Sequence, residues 1–156
     1  PNLQYSVQGE QGILVIQPAG DSDMGEDYEW DVQLNNSIPM ELNLTLGATD
    51  SELKLGTLSL TTLNITAGVG ETVIDLQGAW KQNLNASIVA GVGEVVVKLP
   101  EEIGVIVNTG GVVVDFDMGG LEWDKEAQAY VNDAYEDSEV TLSLTVKTGV
   151  GDIVFD

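Results

Sequence analysis

The sequence predicts an all-β protein built from stacked strand–corner–strand rungs, a β-solenoid of the β-roll or β-helix kind with two main sheets. Three observations carry that expectation. Short segments that alternate apolar and small polar residues recur at a fixed spacing, each runs into a glycine-rich corner, and a second short apolar segment follows the corner. An antiparallel β-sandwich is the alternative that the same strand content allows.

Taken along the chain, residues 5–17 read as a strand pair turning around Gly9 to Gly12. An acidic, turn-rich insertion at 18–31 follows. Leu42-Asn43-Leu44-Thr45-Leu46, Leu63-Asn64-Ile65-Thr66-Ala67 and Leu84-Asn85-Ala86-Ser87-Ile88 begin 21 residues apart, and Leu142-Ser143-Leu144-Thr145-Val146 repeats the alternation. Period-two alternation describes a strand with one buried face. The corners are Gly47, Gly68-Val69-Gly70, Gly91-Val92-Gly93, Gly110-Gly111 and Gly149-Val150-Gly151. Paired glycines suit a sharp corner because they accept positive φ. The second strands fall at 52–55, 72–76, 95–99, 112–116 and 153–155. A second insertion, 117–138, carries acids and aromatics, with a short helix expected over 124–131. Both insertions read as loops or flaps over the stack. No linker divides the chain, so residues 1–156 are expected to form a single domain.

Aligning the corners yields two columns. Asp50, Glu71, Glu94 and Asp152 fall together just after the turn. Four places on come Lys54, Asp75, Lys98 and Asp115, with Asp156 at the end. In a parallel stack such residues lie ~4.8 Å apart, and alternating charge favours cross-strand pairing. The last strand, at 150–155, is expected to be exposed at a terminal rung, where it could pair with another copy.

Composition narrows the chemistry. The 156 residues hold 26 acidic and 5 basic side chains, a formal net charge of -21, while 43% are hydrophobic. That is enough apolar material for a core. A surface this acidic repels nucleic-acid phosphates and anionic lipid headgroups, so neither is an expected partner. The chain has no Cys and no His, which removes thiolate nucleophiles, disulfides and the commonest general base. Starting at Pro1 without Met, the chain reads as a mature fragment, with any membrane anchor in what precedes it.

The run Glu29-Trp30-Asp31-Val32-Gln33-Leu34-Asn35-Asn36, the phrases AGVGETVIDL and AGVGEVVVKLP, Tyr130-Val131-Asn132-Asp133-Ala134-Tyr135 and the ending VKTGVGDIVFD resemble the toast-rack family. That family is related to the LiaF-like cell-wall-active antibiotic response proteins of bacteria. The resemblance covers residues 5–156 and implies a stacked β domain outside the cytoplasm, on the bacterial cell surface or in its envelope. It implies a binding, scaffold or stress-related role with a protein or cell-wall partner. It carries over no catalytic residues and no cofactor.

The column Asp50, Glu71, Glu94 and Asp152 offers stacked carboxylates to calcium, in the manner of a calcium-stabilised adhesin-like module. Its plainer reading is a hydrated, solubilising edge. Asp21-Ser22-Asp23-Met24-Gly25-Glu26-Asp27 superficially resembles a calcium loop, but Val32 stands where the closing Glu belongs. The sequons at Asn43, Asn64 and Asn85 follow from outward polar alternation in the rungs. Trp123, Tyr130 and Tyr135 suit a core cap, or a sugar-binding face in a carbohydrate-active protein. Paired carboxylates alone identify no enzyme here, and none is expected.

Overall fold

The computed structural model describes residues 1–18, 30–112 and 115–156. It comprises two compact units, Pro1–Gln33 and Leu34–Asp156, a division that the linker-free sequence does not announce.

The first unit contains a hairpin of β1 (Asn2–Gln8) and β2 (Gln11–Gln17), paired antiparallel from Asn2↔Gln17 to Gln8↔Gln11. Gly9, at φ 65°, opens the two-residue turn in a conformation that costs glycine little.

The second unit is the stack. Its strands are β3 (Met40–Ala48), β4 (Ser51–Lys54), β5 (Leu60–Val69), β6 (Thr72–Asp75), β7 (Leu84–Lys98), β8 (Gly104–Gly111), β9 (Asp115–Asp117), β10 (Glu122–Asp124), β11 (Ala129–Val131) and β12 (Thr141–Phe155). Each rung has two arms. The first arms pair in the order β10-β11-β8-β12-β7-β5-β3; in the second, β4 pairs β6, β6 pairs the far half of β7, and β9 pairs the far half of β12. The pairings among β3 to β9 and β12 are all parallel, and only the β10–β11 hairpin joins β8 antiparallel, which decides for the stacked solenoid over the antiparallel sandwich. β7 and β12 run unbroken through their glycine corners, so the two expected sheets are arms of one bent sheet.

Several expectations need correction. The last strand is not terminal in space: β12 lies between β7 on one side and β8 and β9 on the other, with thirteen residue pairs to β7. The chain passes from the third rung to the fifth, adds β10 and β11, and only then returns to fill the fourth. The region 124–131 is not a helix. It forms the β10–β11 hairpin, where Asp124 Oδ1 accepts hydrogen bonds from the amides of Glu126 and Ala127, both at 2.7 Å. This local capping by Asp favours a turn over a continuing helix. The 21-residue spacing holds between the first two rungs, pairing Leu42 with Leu63, but β7 pairs Leu63 with Ala86. The longer connection through Trp80 shifts the third rung.

The core follows the registers. Leu42, Leu63, Ala86, Leu144 and Val107 form one column inside the first arm. Leu53, Ile74, Val97 and Phe155 form another inside the second. Both belong to one apolar cluster, so the arms close upon each other. Trp80 is buried beside them and donates its indole N–H to the Leu76 carbonyl at 2.8 Å.

Asn132 fixes the return into the stack. Its Oδ1 accepts from the Val105 amide at 2.8 Å, and its Nδ2 donates to the Ile103 carbonyl at 2.8 Å. Asn132→Ala should cost about 1–3 kcal/mol, because half-buried backbone groups at the start of β8 lose their partners. Chemical denaturation measures it, with a lower midpoint and an unchanged slope expected.

Candidate functional site

The acidic column is real and longer than expected. The ladder registers place Asp50, Glu71, Glu94, Asp152 and Asp115 in line across five second-arm strands. It arises because each corner releases an outward residue just before one that turns towards the core, Ser51, Thr72, Val95 and Ile153; Phe116 holds the same register after Asp115 but is exposed at the edge. Asp50 is tied down locally, its Oδ1 accepting the Glu71 amide at 3.0 Å. A shallow cleft of about 330 Å³ at the β9 end is lined by Glu94, Asp152, Asp115 and Asp117 beside Phe116. Among the described residues, no three of these carboxylates gather into a group able to hold a metal ion.

Asp115 does not stand beside Lys98, where aligning the corners puts it, but beside Asp152. Asp156 occupies the place beside Lys98: its amide donates to the Val97 carbonyl at 3.0 Å, and its carbonyl accepts from the Leu99 amide at 2.6 Å. The cause is the fifth corner. Gly110 pairs with Lys147, whereas aligning the glycine pair with the other corners sets it against Gly151, so the alignment displaces Asp115 by four positions. Lys54, Asp75 and Lys98 are in register as expected. Among the described residues, however, the ion pair formed is Lys54 with Glu52 on the same strand, at 3.1 Å and exposed. Such a pair adds little to stability.

Like charges ~4.8 Å apart repel, so the ladder is a cost that counter-ions screen. Asp152→Asn, between two acidic neighbours, should stabilise the fold by about 0.5–1 kcal/mol. Thermal melts in increasing NaCl should rise for the parent chain and rise less for the variant. Calcium should act in the same unsaturable manner, and a saturable midpoint rise abolished by EDTA would contradict simple screening.

The outward face of the first arm is different in kind. Asn43, Asn64, Ser87, Thr145 and Asn108 form an uncharged polar column there. Asn64 Nδ2 donates to Asn43 Oδ1 at 2.8 Å, so two of the sequon asparagines are neighbours in a ladder. Asn85 sits one column over, opposite Thr62.

The aromatics divide. Trp123 and Tyr130 make an edge-to-face pair with centroids 5.1 Å apart. Tyr130 packs on the core, while Trp123 is 54% exposed at the outer strand. Tyr135 is half-buried in the turn after Asn132. Sequence reasoning missed Trp80, whose only signal was a large aromatic within an otherwise polar inter-rung connection. The calcium-loop-like segment at 21–27 lies outside the described residues.

These strands and corners match a known family described as the N-terminal domain of toast_rack, DUF2154, over residues 1–98. A solved structure from Clostridium sporogenes, described as a "putative cell adhesion protein", is similar over 99% of this chain and 74% of its own, at 30% identity and a TM-score of 0.87. No curated protein sequence matches. The chain is a member of the toast-rack family.

Proposed function

We propose that this chain is a surface-associated module of the bacterial envelope that acts by binding a protein or cell-wall partner, without catalysis or a required cofactor. The observation that carries the reading is the likeness of fold and sequence, along almost the whole chain, to the Clostridium structure described in terms of cell adhesion. The neutral first-arm face supports it. On a chain of net charge -21, the column Asn43, Asn64, Ser87, Thr145 and Asn108 offers amides and hydroxyls without the charge repulsion met elsewhere. Such a surface suits an uncharged hydrogen-bonding partner, such as a glycan.

The experiment is protease shaving of intact cells of the source bacterium, followed by detection of the chain. Digestion without lysis is expected. Protection until the cells are broken would defeat the surface reading.

A further inference from the structure

The two ends of the stack are finished differently. At one end, β9 and β10 are each three residues long, and each sets an aromatic between two acids: Asp115-Phe116-Asp117 and Glu122-Trp123-Asp124. The turn between them packs Met118 and Leu121 against the core. Very short, charged edge strands resist the addition of another strand.

Within the Leu34–Asp156 unit, the opposite end has no such protection among the described residues. β3 is nine residues long, pairs with β5 on one side, and carries Glu41 as its single charge. Its inward Leu42, Leu44 and Leu46 remain half-buried, while Leu63 and Ile65 in the next rung are buried. A long strand edge with little charge and an incompletely covered apolar side is a template for pairing.

We propose that this edge binds a second copy of the chain, β3 pairing antiparallel with its counterpart about a two-fold axis at Leu44. This register uses the whole strand. On the inward face it sets Leu42 against Leu46, Leu44 against its own counterpart and Met40 against Ala48. On the outward face Asn43 meets Thr45, and Glu41 meets Gly47. No like charges face each other, although the chain carries a net charge of -21. A two-fold contact is closed, and the acid-flanked far ends prevent further growth, so assembly stops at two copies. The proposal deepens the binding-module reading but rests on the strand edge alone. Its test reads assembly, whereas shaving reads location.

Sedimentation velocity across a concentration series tests it, using the whole chain and two variants altered on the exposed face of β3. The parent chain is expected to be dimeric at high concentration and to dissociate on dilution. Asn43→Lys/Thr45→Lys brings lysines face to face twice across the axis and should weaken the dimer roughly tenfold or more. Asn43→Lys/Thr45→Glu sets opposite charges in the same places and should restore it. Both variants are expected to keep the parent's β-sheet circular dichroism. A parent chain that is monomeric throughout, or a dilysine variant that stays as dimeric as the parent, would overturn the proposal.

Discussion

Gly93→Ala is expected to lower the stability of the stack by about 3–5 kcal/mol, combining backbone strain with steric overpacking. Gly93 sits at φ 139°, a conformation L side chains rarely adopt. A Cβ there would run into the carbonyl oxygen of Gly70 in the rung below, and a Cβ on Gly151 would run into that of Gly93. The obstacle is backbone held at the strand spacing, so it cannot swing aside as a side chain would. Thr49 occupies the equivalent place in the first rung, whose outer side bears no further rung among the described residues, and it lacks the positive φ. Glycine is therefore needed where a neighbouring rung closes the column. Gly47→Ala provides the contrast, since nothing stands within 4 Å of its added Cβ, and should change stability little. Urea denaturation of both variants measures the difference.

Phe155→Ala should be comparably severe, at about 3–5 kcal/mol. Phe155 is 2% exposed and pairs with Val97 in the middle of the sheet. Truncating it opens a cavity among Ile74, Val97 and Leu99, where collapse is limited by strands on both sides. Thermal melting should show a large drop with a single transition. The same topology makes folding wait on a distant segment, since the fourth rung is filled only when β12 arrives. Contacts of such long sequence separation slow folding.

The rung pattern was legible because alternation and glycine pairs are local. Leu42 to Leu46 and Gly68 to Gly70 declare strand and corner without reference to the rest of the chain. The acidic column was also legible, because corner alignment is accurate wherever the corner is Gly-Val-Gly. It failed at Gly110-Gly111, where the turn comes early and Asp115 moves into the acidic ladder. The order of the rungs was not legible. Periodicity says that β7, β8 and β12 are alike, but nothing local in 84–98 specifies whether β8 or β12 becomes its neighbour. The choice is made by the connections. Asn132 binds the entrance of β8, and Asn83 Oδ1 accepts the Thr141 amide at 2.9 Å at the entrance of β12. These are single polar contacts without a repeating signature. The β10–β11 hairpin was hidden because Glu-Ala-Gln-Ala favours helix, whereas Asp124 and the positive φ of Gln128 impose a turn.

The strand β12 lies inside the stack, between the third and fifth rungs. The chain has no cysteine, so paired substitutions report adjacency directly. Positions 85 and 143 are partners in the β7–β12 ladder, and 143 and 106 are partners in the β12–β8 ladder. Adjacent strands bring such pairs within disulfide reach, whereas strands two apart are about 10 Å from each other. Under mild oxidation, Asn85→Cys/Ser143→Cys is predicted to form an intramolecular disulfide, and Asn85→Cys/Ile106→Cys is not. A disulfide in the second variant and none in the first would mean that the rungs stack in simple chain order, and would contradict the account.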